Sequence, residues 1–249
     1  MRIAVLNPVA SVGKTTVATN LAASLAIADQ RVLLIYATPT AVLDETRAQH
    51  RHSLSDVLTG KVSFSQALVS TPAIPNLDMV SGDYRLWQFD YHSTQQQQPM
   101  LCLERELHKI AASYDFIVID SPSSLGMLTL NALVAARGVI IPVAPANYVK
   151  SEVQQVIQVM AAVRKRYNQE LGLLGVLLNN CDHQNQADKS TEQEVQNDFG
   201  VQNVFARVIA KSSSVVRAGL LGMPVLLHDA GCVGAQSFLW LAQSLCFSR

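Results

Sequence analysis

The chain has 249 residues, 49% of them hydrophobic and 15% charged, with a formal net charge of zero. That length can bury a full core, and the composition excludes a solvated or disordered chain in favour of an α/β protein with buried parallel strands. Charge balance excludes a globally basic nucleic-acid binder, so any such surface has to be a local patch.

In chain order, a strand is predicted over 3–6, a loop over 7–13, and then Lys14-Thr15-Thr16 opens an apolar-periodic helix over 17–27. Strand, loop, Gly-Lys-Thr, helix is the arrangement of a phosphate-binding loop. Gly13 would let the backbone approach phosphate oxygens, and the amides of the loop and helix start, from Val12 through Thr16, would point at the anion. Lys14 would reach the β- and γ-phosphates, and the Thr15 hydroxyl would hold Mg²⁺. The pattern GxxxxGK[ST] wants glycine where Pro8 stands, and Gly-Lys-Thr alone also fits a helix-capping turn.

A second strand is predicted over 32–36, followed by a polar stretch to His52. Short helices over 54–58 and 65–69 flank a Gly60 turn, and a strand over 77–80 follows. Residues 83–99, with their glutamine run, read as a solvated loop, and 101–112 as a helix. A strand over 116–119 ends on Asp120, a helix covers 128–136, and another strand covers 139–143, leading to a loop that contains Lys150. A helix over 153–167 ends in Arg164-Lys165-Arg166. A strand over 173–178 runs into Asn179-Asn180, then come a helix over 192–199 and a strand over 204–209. A polar loop over 211–214, an extended segment over 224–227 and a helix over 235–247 complete the chain.

Strands and helices alternate with no repeat or linker, so residues 1–249 are expected to form a single domain: a three-layer, mostly parallel twisted sheet with helices on both faces, of P-loop NTPase type. Ligands in such sheets sit at the carboxyl ends of strands, where the phosphate loop, Asp120, Lys150 and Asn179 all fall. Asp120, after four apolar residues, has the Walker B arrangement of a carboxylate for Mg²⁺, although an aspartate there can also cap the next helix. Cys102, Cys181, Cys232 and Cys246 show no zinc or redox spacing and read as reduced thiols of a cytosolic protein. Met1-Arg2 leads straight into a strand, which argues against a signal peptide, and no apolar run approaches the ~18 residues of a membrane span.

The blocks IAVLN…GKTT…NLAASLA, YDFIVIDSPSSLGMLTLNALVAA, VIIPV, GVLLNN and VLLHDAG…GAQSFLWLAQSL, in order over nearly the whole chain, resemble the ParA/MinD family of deviant Walker A ATPases. The resemblance implies ATP and Mg²⁺ as cofactors and a homodimer with ATP at its interface. It also implies a nucleoid-associated cytoplasmic protein that binds DNA without sequence preference, and a cargo adaptor protein that stimulates hydrolysis. The family loop KGGxGKTT carries a lysine where Val9 stands, a loss that resembles the McdA subgroup, which distributes carboxysomes over the nucleoid in cyanobacteria. Lys150 is the candidate substitute for that cation, against the alternative of a solvated lysine. The family's asparagine for the adenine edge corresponds to Asn179, with 208–211, including Ile209, lining the other side.

Where the family has a DxDP-type motif, Tyr36-Ala37-Thr38-Pro39-Thr40 offers no carboxylate, so weak hydrolysis is expected. Ala37 could be a replaced aspartate, and Asp44 is the nearest remaining acid. The candidate DNA contacts are Arg164, Lys165, Arg166, Lys211 and Arg217, although cations at a helix C-terminus also serve as dipole partners. The last helix has little cationic face, so membrane binding is not expected. Two alternatives stay open: a plasmid or chromosome partition ATPase, and a nucleotide-binding scaffold without turnover.

Overall fold

The computed structural model describes residues 1–38, 51–92 and 98–247. Pro39, Thr40, Asp44 and Arg249 therefore lie outside the described residues, as does most of the glutamine run. The strands are β1 (Arg2–Val5), β2 (Val32–Tyr36), β3 (Val69–Ser70), β4 (Leu77–Val80), β5 (Phe116–Asp120), β6 (Gly138–Val143), β7 (Gly172–Cys181) and β8 (Ile209–Ala210). They join in the order β3-β4-β2-β5-β1-β6-β7-β8, parallel throughout except for the short β3 against β4.

The helices are α1 (Lys14–Ile27), α2 (Leu54–Leu58), α3 (Phe64–Ala67), α4 (Leu86–His92), α5 (Cys102–His108), α6 (Met127–Ala135), α7 (Lys150–Arg166), α8 (Gln186–Phe199), α9 (Ser213–Leu220), α10 (Val225–His228) and α11 (Val233–Phe247). Alternate strand residues feed two cores. Ala4, Leu33, Ile35, Ile117 and Ile119 pack with α2, α5 and α6 on one face, while Ile3, Val5, Leu34, Phe116 and Val118 pack with α1 and α11 on the other. The three-layer expectation is met, because strands apolar on both sides need a helix layer over each.

Register sets the site. Val5 of β1 and Tyr36 of β2 both pair with Asp120, the last residue of β5. The Ala37 amide donates to the Asp120 carbonyl at 2.9 Å, and the Ser121 amide to that of Val5 at 3.2 Å. Three strand ends thus finish at one level, with β5 between β2 and β1 and the phosphate loop following β1.

Several local expectations are corrected. Residue 69 belongs to a strand, not to the helix predicted over 65–69. Part of 83–99 is helical, because Leu86 and Phe89, one turn apart, are buried in the core. Lys150 begins α7 instead of lying in a loop. The strand predicted over 204–209 shrinks to a bridge at Val204 and the two residues of β8. Phe205 and Arg207 are drawn onto Trp240 instead, edge-on at 6.5 Å and as a cation over the ring at 5.5 Å. The residues after Pro224 form a helical turn, not an extended segment, with the Asp229 amide closing on Val225 O at 2.7 Å. Among the described residues no helix is long and apolar enough to cross a membrane.

Candidate functional site

The phosphate loop is built from Asn7 onward. Asn7 is buried at the end of β1; its Nδ2 donates to Pro142 O at 2.8 Å and its Oδ1 accepts the Val9 amide at 2.8 Å, an Asx turn that starts the loop. The loop closes at Gly13, which caps α1 with φ 86°. A side-chain carbon at that position would fall 2.3 Å from Asn179 Nδ2, so both backbone conformation and close approach require glycine. α1 then runs from the loop into the core, with Val17, Leu21 and Leu25 fully buried; each such side chain contributes about 1.5–3 kcal/mol. That burial anchors the amides that face the loop.

Lys14 is the first residue of α1 and is 7% exposed. Its ammonium donates to Val9 O at 2.9 Å and Ser123 Oγ at 2.7 Å. Burial lowers its pKa, and the Asp120 carboxylate opposes that. Thr15 Oγ1 donates to Asp120 Oδ2 at 2.7 Å, and Thr38 Oγ1 donates to the same oxygen at 3.3 Å. Asp120 is fully buried, and its other oxygen, Oδ1, has no hydrogen-bond partner among the described residues. Burial pushes its pKa to about 7, against the hydrogen bonds from Thr15 and Thr38 and the charge of Lys14. A buried carboxylate oxygen without a partner, beside a threonine hydroxyl, has the hard oxygen chemistry of a magnesium site. Among the described residues no three His, Cys, Asp or Glu side chains gather to hold a metal, so a cation here would take its remaining ligands from water and phosphate oxygens.

Beside the loop opens a cavity of about 410 Å³, lined among others by Val12, Gly13, Asn179, Ile209, Val216 and Leu220. This is the size of a small-molecule site. The fold brings Val12, Gly13, Thr16, Asn179 and Ile209 to one hollow. Asn179 does more than line it, since its Nδ2 donates to Val12 O at 2.9 Å and ties β7 to the loop.

The other candidates are dispersed. Lys150 Nζ pairs with Asp198 Oδ1 at 2.5 Å, and Tyr148 donates its hydroxyl to Oδ2 of the same carboxylate at 2.6 Å, so α7 and α8 share that cation. Lys211 follows β8, its amide on Cys181 O at 2.8 Å, and Arg217 lies on α9; both are exposed at the carboxyl edge of the sheet. Arg164, Lys165 and Arg166 end α7 at the opposite edge, where Asn168 Nδ2 binds the last carbonyls of α6 and the Gly172 amide meets Arg137 O. The two basic groups do not form one patch.

The Ala37 side chain is buried in the apolar core, 1% exposed, and only its backbone amide meets Asp120, whereas the Thr38 hydroxyl faces the Asp120 carboxylate. Thr38, Asn7, Ser123 and helix α9 are the parts that sequence reasoning missed. An asparagine at the first position of the loop, just after the first strand, was the one usable signal.

A family model described as an AAA domain matches residues 1–173. The chain is 34% identical over 249 residues to the chromosome partitioning protein ParA of Caulobacter vibrioides, covering 98% of this chain and 92% of the relative. A crystal structure described as cobyrinic acid a,c-diamide synthase from Mycobacterium smegmatis, with bound ADP and magnesium, is 26% identical and superposes with a TM-score of 0.84 over 98% of this chain and 93% of its own. Apo McdA of Cyanothece has a TM-score of 0.83 over 98% of each chain at 16% identity, a likeness of fold.

Proposed function

The chain belongs to the ParA/MinD family of ATPases and is of the partition type; from that premise we propose that it is an ATP-driven switch that associates with DNA and positions a cargo. The observation that carries this is the cluster of Lys14, Thr15 and Asp120 at three strand ends, with Asp120 Oδ1 left without a partner among the described residues. Thr15 Oγ1 and Asp120 would hold Mg²⁺, which would offset the charge of the β- and γ-phosphates. Lys14 would exchange Val9 O and Ser123 for phosphate oxygens. The base would sit in the hollow between Asn179, Ile209 and α9. The bound ADP and magnesium of the Mycobacterium smegmatis protein support this reading.

ATP would bridge two copies, and the dimer would bind DNA through Lys211 and Arg217, which share the carboxyl edge with the nucleotide site. Arg164, Lys165 and Arg166, at the far edge, then serve chiefly as dipole partners of α7. Lys150 would have to leave Asp198 to act across an interface. Turnover would be slow, because among the described residues Thr38 and not a carboxylate stands beside Asp120 at the end of β2. An adaptor protein on the cargo would accelerate it. A chromosome or plasmid segment is the favoured cargo, given the Caulobacter relative. Carboxysomes are the second reading, carried by Val9 in place of the family lysine.

The test is retention of the chain on duplex DNA with ATP·Mg²⁺, with ADP and without nucleotide, across a salt series. ATP-dependent retention that falls steeply with salt, and that weakens in Lys211→Ala and Arg217→Ala but not in Lys165→Ala, supports the switch. Retention indifferent to nucleotide would sink it.

A further inference from the structure

A dense ionic cluster closes the carboxyl end of β4, one segment away from the phosphate site. Arg85 lays Nη1 and Nη2 on the two oxygens of Asp56 at 2.7 and 2.8 Å, and its Nε on Asp83 Oδ2 at 2.7 Å. Ser53 and Ser55 donate their hydroxyls to Asp83 Oδ2 at 2.8 and 3.0 Å, and the Leu54 amide donates to Ser81 O at 2.8 Å. The guanidinium fork is what allows one side chain to hold two carboxylates at once, one of them bidentate. The cluster therefore welds the start of α2 to the turn 81–85.

That turn presses on the end of β2. A side-chain carbon at Gly82 would fall 2.0 Å from Thr38 O and 2.7 Å from Tyr36 O, so the two backbones are in direct contact. Thr38 in turn donates to Asp120 Oδ2. The 36–38 backbone is thus gripped on one side by β5, through the Ala37 amide on Asp120 O, and on the other by Gly82. We propose that Arg85 is a positioning residue for the ATPase: by clamping Asp56 and Asp83 it holds Gly82 against residues 36–38 and so keeps the Thr38 hydroxyl on Asp120. This rests on Asp120 belonging to the ATPase site. A clamp of this kind does not touch nucleotide; it acts on turnover through Thr38 and leaves ATP binding to the phosphate loop.

The experiment compares the full-length protein with Arg85→Lys, Thr38→Val, the double variant and Asp120→Asn. It reads hydrogen exchange of the Ala37 amide without nucleotide, and kcat and KM for ATP. In Arg85→Lys the Ala37 amide exchanges about tenfold faster while the Ala4 and Val5 amides of β1 keep their rates. Its kcat falls about three- to tenfold with KM within about twofold, and the double variant is no slower than Thr38→Val. Should lysine at 85 unfold the protein, Gly82→Ala disturbs the same contact with the ions intact and is read the same way. Unchanged exchange at Ala37, acceleration shared equally by β1, or losses that multiply in the double variant would overturn the proposal. Wild-type turnover in Asp120→Asn would overturn the site assignment and the catalytic half of the proposal with it, while the exchange at Ala37 would still judge the clamp.

Discussion

Replacing Asp120 with asparagine should make the nucleotide-free protein more stable and the enzyme inactive. The carboxyl moves from 3.8 to about 7 because it is fully buried. At about 1.36 kcal/mol per unit this is a cost of about 4 kcal/mol to the folded state at pH 8. The sign follows from proton counting. Between 3.8 and about 7 the folded protein binds more protons at Asp120 than the unfolded chain does, so stability falls as pH rises through that window and levels off above it. Asparagine removes the charge and still accepts from Thr15, but buries an amide with unmet donors at about 1–3 kcal/mol. The net gain is then about 2 kcal/mol at pH 8 and near zero at pH 5, an increase in melting temperature of about 4–8 °C at the higher pH. Thermal unfolding of both proteins at the two pH values reads this directly. A variant less stable than the parent at pH 8 would refute the reasoning, since it would mean that Asp120 is held ionised by its neighbours.

Other substitutions probe the same geometry. Gly13→Ala should cost about 1–3 kcal/mol in denaturant unfolding, because it combines a positive φ of 86° with a clash on Asn179. Ala37→Asp should destabilise by about 3 kcal/mol or more and leave turnover unimproved, because position 37 faces the apolar core. Thr38→Asp, which sets a second carboxylate at the site, should raise ATP turnover at saturating Mg²⁺; a fall would argue against Thr38 as the cause of slow hydrolysis. Asn179→Ala frees the Val12 carbonyl and should weaken ATP binding about tenfold in an equilibrium titration, a loss of one buried hydrogen bond.

Lys14, Thr15 and Asp120 were legible in the sequence because each sits at a fixed offset from an apolar run, and a run of four or five apolar residues marks a buried strand on its own. Thr38 was not legible: its side chain meets Asp120 only because β2 pairs with β5 in the register that sets Tyr36 opposite Asp120, a residue 84 positions further along the chain. The Arg85 cluster is hidden for the same reason, joining Ser53 and Asp56 to a turn beyond β4. Helix α9 escaped because it is short and only Ala218 of it is fully buried, while Val216 and Leu220 stay exposed along the hollow, so its apolar residues do not all mark a core-facing stripe. The strand predicted over 204–209 had the right composition, but Trp240 competes for Phe205 and Arg207, a contact set by the distant α11. The candidate DNA contacts Arg164, Lys165 and Arg166 are separated from Lys211 and Arg217 by the direction of α7 across the sheet, which the sequence does not show.

The most direct measurement of the account is equilibrium binding of ATP, with and without Mg²⁺, to the parent protein and to Lys14→Ala. Mg²⁺-dependent binding is expected in the parent, weakening at least about a hundredfold in Lys14→Ala, where the buried ammonium is lost from the phosphate loop. Equal affinity in the two proteins, or binding indifferent to Mg²⁺, would contradict it.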